Sequence, residues 1–298
     1  MKHDFVHGGN SYQPFHRHRH HPGSRPDCPH RPLPDGPPQL QRALCYRELG
    51  PRKPGLRFSP GVATHCTKQA TFCLAAAGGT PCRHRGNDAR LGGNAEFLLP
   101  LAGPFLAVGL NVLLVDARNH GRSDHDGHSS LPRFADDLGN AVDWIRQQTE
   151  HAGPVALCGH SLGGGAALLC AAEREDIAAV ISLATFAHPT DMMRRFMRKA
   201  RIPDLLVPLV LRYVERVIGR RYDDIAPINT ICRVTCPVLV MHGSSDRTVP
   251  HGDMEAMRRK CQGHPPEFVA IPGAGHSSVK RFMEHEGALV DFLKRAGF

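Results

Sequence analysis

Ser161 stands at the centre of Gly159-His160-Ser161-Leu162-Gly163, between the apolar run Val155-Ala156-Leu157-Cys158 and a helix-forming stretch over residues 164–173. A short apolar run bounded by turn signals reads as a buried strand, and here it must reverse into a helix within a few residues. Small residues two before and two after the serine relieve backbone crowding, and the turn lifts the hydroxyl clear of the sheet. The helix that follows aims free N–H groups at any oxyanion formed beside the serine. The five-residue pattern alone is common in glycine-rich turns. Strand, turn and helix in this order make it a nucleophile elbow.

The remaining chemistry is expected downstream. Pro237-Val238-Leu239-Val240-Met241 reads as a buried strand ending in His242-Gly243-Ser244-Ser245-Asp246, a loop with a carboxylate just past the strand. Glu267-Phe268-Val269-Ala270-Ile271 reads as a last strand, followed by Pro272-Gly273-Ala274-Gly275-His276. Serine, acid and histidine thus occur in the chain order Ser161, Asp246, His276, which differs from that of the two large serine-protease families. Asp246 could instead cap its own loop, since Ser-Ser-Asp clusters are ordinary turn chemistry. His264 and His285 compete with His276, whose glycine-flanked place beyond a strand favours it. His160 and His120 read as packing and loop hydrogen-bonding residues.

These segments, with Asn111-Val112-Leu113-Leu114-Val115-Asp116-Ala117-Arg118-Asn119-His120-Gly121-Arg122-Ser123-Asp124, resemble the α/β-hydrolase superfamily over about residues 92–298. The similarity is to serine esterase and lipase-like members related to monoglyceride lipases and serine aminopeptidases. It implies a doubly wound, mostly parallel sheet with a small helical cap. It also implies Ser161 as nucleophile, His276 as general base, Asp246 as the residue orienting it, and Leu162 N–H as one oxyanion donor. Asp191, after the strand expected over residues 178–183, is the reserve acid, because some members of the superfamily place it there. The second oxyanion donor is expected near Leu91. The implied reaction is hydrolysis of a carboxylic ester or related acyl compound through an acyl-enzyme, with no metal or organic cofactor.

Charge divides the chain. Residues 1–90 hold 14 Lys+Arg against 5 Asp+Glu, while residues 91–298 hold 23 of each, so the formal excess of +9 belongs to the first part. The basic pI therefore describes a tail, and no nucleic-acid partner is expected. No run of eighteen apolar residues suggests a membrane span. Residues 1–62 form a low-complexity segment rich in Pro, His and Arg, with disordered composition and no secretory-signal pattern. The hydrolase domain is expected over residues 63–298. The ten cysteines show no repeated metal-type spacing, so reduced thiols in the cytoplasm are the default, with Cys158 and Cys170 buried.

The weak stretch is residues 63–92, where the fold needs two strands, the second running into a His-Gly loop beside the elbow. Residues 80–93 read Thr-Pro-Cys-Arg-His-Arg-Gly-Asn-Asp-Ala-Arg-Leu-Gly-Gly, which cannot be a buried parallel strand. One permitted coding choice for residues 82–93, read one base later, yields AVIVVMTHGWG, an apolar strand followed by a His-Gly loop. This suggests a reading frame disturbed upstream of about Gly92. The alternative function is then a catalytically impaired hydrolase-fold protein, used for binding or made by a damaged gene. In this frame, Thr71-Phe72-Cys73-Leu74-Ala75-Ala76-Ala77 is the best candidate to fill the gap.

Helices are expected over residues 94–108, 131–149 and 279–298, the second with Phe134, Leu138, Val142 and Ile145 at helical spacing. Residues 186–227 are expected to form a helical cap. Its Arg194, Arg195, Arg198, Lys199 and Arg201 read as a solvated face, or as an attraction for an acidic substrate.

Overall fold

A computed structural model describes residues 58–59, 71–77, 95–121, 123, 125–147, 153–261 and 266–298. Seven strands form one sheet: β1 (Phe58–Ser59), β2 (Thr71–Ala77), β3 (Asn111–Asp116), β4 (Val155–Ser161), β5 (Ala179–Leu183), β6 (Val238–Gly243) and β7 (Glu267–Ile271). Their order is β1-β3-β2-β4-β5-β6-β7, parallel throughout except for β1, which runs antiparallel to β3.

Every residue of β4, β5 and β6 is buried, so these strands carry continuous apolar runs instead of alternating polarity. Successive side chains still point to opposite faces. Val155 and Leu157 enter a core shared with Phe134, Leu138, Leu168 and Met254, while Ala156 and Cys158 enter a second core with Phe105, Phe282 and Phe292. The first core is closed by α2 (Leu131–Arg146), α3 (Leu162–Ala172) and α8 (Gly252–Lys260); the second by α1 (Leu99–Ala107), α9 (Val279–Met283) and α10 (Glu286–Arg295). The helix expected over residues 279–298 is therefore two helices, broken where the His285 backbone N–H turns back to the Phe282 carbonyl. The helix expected over residues 94–108 begins as a 3-10 turn at Ala95–Leu98 and becomes α-helical at Leu99.

The central position is filled by Thr71–Ala77, the segment singled out for it. It pairs with β3 from Thr71↔Asn111 to Ala76↔Asp116 and with β4 from Thr71↔Val155 to Ala77↔Ser161. A strand missing there would leave the backbone groups of β3 and β4 unpaired in the interior, which is costly enough that the nearest apolar run is drawn in. Residues 80–91, Leu91 among them, and residues 1–57 lie outside the described residues.

Between β5 and β6 the expected insert, residues 186–227, carries α4 (Pro189–Lys199), α5 (Val207–Ile218) and α6 (Tyr222–Ile225). The short α7 (Pro227–Thr230) leads out of it. Arg195 leaves the expected solvated run: it grips Asp253 on α8 with two hydrogen bonds of 3.0 and 2.6 Å, and Asp253 also accepts the Ala187 backbone N–H at 3.1 Å. That carboxylate ties the start of the insert to the first core. The loop after β3 is held similarly. The Arg118 guanidinium and backbone N–H both bond to the buried Asp137 carboxylate on α2.

Cys158 and Cys170 are buried, but Cys232 and Cys261 are disulfide-bonded, with Cα atoms 5.4 Å apart and a sequence separation of 29. The reduced-thiol default does not extend to this pair. Such bonds persist in oxidising compartments. The closed loop contains β6, the Asp246 loop and α8, and a loop of this length stabilises by about 3 kcal/mol through the unfolded chain. Dithiothreitol, or Cys232→Ser, should lower the urea midpoint accordingly; an unchanged midpoint under reduction would rule out the bond as a stabilising element.

Candidate active site

The elbow follows from three local constraints. β4 ends at Ser161 and α3 starts at Leu162, so Ser161 alone makes the reversal, with φ 55° and ψ −116°. Such a conformation costs a non-glycine residue about 1–3 kcal/mol and persists only where its surroundings impose it. A Cβ at Gly159 would strike the backbone carbonyl of Gly163, and one at Gly164 would strike the Thr185 hydroxyl. The small residues are thus required by the close passage of strand and helix. Behind the turn, Thr185 Oγ1 donates to the Ser161 carbonyl at 3.1 Å, and Ser182 Oγ donates to Thr185 Oγ1 at 2.7 Å.

The other two loops reach the same place because β6 and β7 are parallel neighbours ending on the same edge as β4. They are stitched together by Ser244 N–H to the Ile271 carbonyl at 3.0 Å and Ser245 N–H to the Ala274 carbonyl at 2.9 Å. A side chain at Gly243 would strike the Ala274 carbonyl, so this approach also depends on a glycine.

Asp246 makes the contacts that both readings of it require. Oδ1 accepts the backbone N–H groups of Thr248 and Val249, each at 2.8 Å, closing its own turn. Oδ2 accepts Nδ1–H of His276 at 2.8 Å. With the proton on Nδ1, the other ring nitrogen is a bare acceptor, and His276 Nε2 lies 3.1 Å from Ser161 Oγ. Burial alone would raise the Asp246 carboxyl; the bond from His276 and the two backbone N–H groups outweigh it and hold the group below the ordinary carboxylate range. Asp191 is on α4, exposed and 3.9 Å from Arg194, and does not meet His276. His285 stands just before α10, and His264 lies outside the described residues.

Two histidines around this line had no assigned partner in the sequence. His160 is buried, lies with its ring tilted against those of Phe97 and His276 at 4.8 Å between centroids, and donates Nε2–H to the His276 carbonyl at 2.6 Å. It therefore clamps the histidine loop to the elbow. His242, fully buried, donates Nε2–H to the Val249 carbonyl at 2.9 Å and sits 3.5 Å from Asp246 Oδ2, supporting the acid turn from beneath. Periodicity could not reveal these pairings, because His160 joins the ends of two different strands and His242 folds back on the loop after its own strand. The hydroxyls of Ser182 and Thr185 left no sequence signal either. His120 is a loop residue as expected, donating Nδ1–H to the Arg118 carbonyl at 2.9 Å and packing edge-on against Phe134.

Burial, and then the nearby His276, push the His160 pKa down to about 3 from an ordinary 6.5. A folded-state pKa below the unfolded one means the unfolded chain binds the extra proton between those values. Stability contributed by neutral His160 is thus full above about pH 6.5 and is lost as pH falls toward 3, by about 3–5 kcal/mol in all. The acid limb of a stability-against-pH curve should therefore begin near pH 6.5 and flatten in His160→Gln. An identical limb in the variant would assign the loss to other groups.

With the geometry given, the similarities are informative. The model of the family described as "Serine aminopeptidase, S33" matches residues 90–226. The uncharacterized protein YqkD of Bacillus subtilis is 29% identical over 173 residues, 57% of either chain, so this chain spans less than two thirds of that relative's length. An esterase of Pyrococcus furiosus superposes with a TM-score of 0.63 at 19% identity, covering 90% of this chain and 96% of its own. Esterase Est1E of Butyrivibrio proteoclasticus, solved with ferulic acid bound, has a TM-score of 0.57 at 21% identity over 77% of this chain and 90% of its own.

The sheet order, the strand–elbow–helix and the superposed structures define the class by its architecture: the chain has the α/β-hydrolase fold. The chain is similar to the serine aminopeptidase family over residues 90–226, and its fold is similar to that of the two esterases.

Proposed function

We propose that the chain is a serine hydrolase that cleaves a carboxylic ester or related small acyl substrate through an acyl-enzyme. The observation that carries this reading is the hydrogen-bonded line Ser161 Oγ, His276, Asp246, with 3.1 and 2.8 Å steps, beginning at a serine held at positive φ. Ser161 Oγ attacks the acyl carbonyl while His276 Nε2 takes its proton; the imidazolium then protonates the leaving alkoxide as the C–O bond breaks. Water repeats the sequence and releases the acid. Asp246, kept ionised by its three donors, fixes the Nδ1–H tautomer and stabilises the imidazolium. Leu162 opens α3, so its N–H is free of intrahelical bonding and faces the nascent oxyanion. An N–H from the segment around Leu91 is the second donor in this reading.

The mechanism uses only the chain's own residues. The insert of residues 186–227 serves as the cap that shapes the acyl site. The chain should hydrolyse chromogenic esters of short acids with a burst equal to the enzyme concentration, as the acyl-enzyme fills. It should also be labelled once by a fluorophosphonate. A folded chain giving neither would leave only the binding role.

A further inference from the structure

We propose that helix α5 and the turn before it form a docking face for an anionic lipid bilayer surface. Helix α5 is apolar on two sides. Val210, Leu211 and Val214 pack against the first core, whereas Leu209, Tyr213 and Val217 recur at helical spacing on the flank beside them, 62%, 69% and 43% exposed. The turn adds Leu205 at 85% and Leu206 at 44%. Large apolar side chains so exposed, grouped on one element, mark an interaction surface.

Its charge selects the partner. Arg212 and Arg216 stand exposed between the apolar residues, and Arg198, Lys199 and Arg201 lie at the end of α4 and just after it. Among the described residues none of these five forms an ion pair, unlike Arg194, Arg195 and Arg220. A second copy docked face to face by a two-fold axis would oppose these cations to themselves. Residues 1–90 of the chain, with 14 Lys+Arg against 5 Asp+Glu, carry a net charge of the same sign. Leucine and tyrosine with interleaved arginine suit an interface where apolar side chains enter the acyl boundary and guanidinium groups meet lipid phosphates. No described helix is long and apolar enough to cross a membrane, so this contact would be peripheral. The inference is independent of the chemistry proposed at Ser161.

The test is flotation of the full chain with vesicles of phosphatidylcholine alone or with about a third phosphatidylglycerol. Binding is expected to the anionic vesicles, weakened by salt. It should fall about tenfold or more in Arg212→Glu/Arg216→Glu and in Leu209→Ser/Tyr213→Ser, with both variants melting like the parent. Three results would overturn the proposal: no vesicle binding; binding that survives in both variants, which would assign it to the basic residues 1–90; or vesicle-independent self-association in sedimentation that the apolar variant abolishes.

Discussion

Replacing Ser161 by alanine should lower kcat on a short chromogenic ester by about 10⁴–10⁶-fold and abolish fluorophosphonate labelling, while KM changes little. The reason is that the elbow exposes one hydroxyl to His276 Nε2, and the members of such a line act as a unit, so removing the nucleophile costs nearly the whole covalent pathway. Relief of the positive φ does not confuse the result, since alanine retains the Cβ that makes the conformation strained. The variant should fold and melt as the parent does. Labelling that persists in Ser161→Ala would place the nucleophile elsewhere and end the proposed mechanism.

Asp246→Asn is expected to lower kcat by about 10⁴-fold, with Asp191→Asn within about threefold of the parent. An asparagine keeps the shape of the turn, and its Oδ1 can still accept the Thr248 and Val249 N–H groups. Its amide, however, presents N–H where Oδ2 accepted His276 Nδ1–H, which favours the wrong tautomer and leaves the imidazolium without a counter-charge. Asp246 also contributes stability with a definite sign. Its carboxyl is held below the ordinary range, so that contribution is present above about pH 4 and is lost as pH falls through the depressed value. If Asp191→Asn were the damaging change, the acid would have to reach His276 by a rearrangement of α4.

Much of this site was legible in the chain because its chemistry is tied to local backbone demands. Gly159 and Gly164, either side of Ser161, leave no room for a side chain where strand and helix pass, and the apolar runs at β4 and β6 mark fully buried strands by composition. The relative order of Ser161, Asp246 and His276 needed no coordinates. The choice between Asp246 and Asp191 did, because both follow strands ending on one edge and only a distance separates them.

The central strand shows the opposite dependence. Thr71–Ala77 is a weak strand by itself, with three consecutive alanines at its end. Its place is dictated by the unpaired backbone of β3 and β4 on either side. The Cys232–Cys261 bond likewise joins residues that no spacing rule connects.

What the sequence by itself determined was most of the elements, the serine at the turn and a short set of candidate acids and histidines, since hydrophobic runs and turn residues act over a few neighbouring positions. What only the tertiary structure decided was how the ends of β4, β6 and β7 converge. Parallel pairing brings His160 onto the His276 carbonyl and the Asp246 loop against the His276 loop. Those bonds depend on strand register and buried geometry, which a linear pattern does not encode.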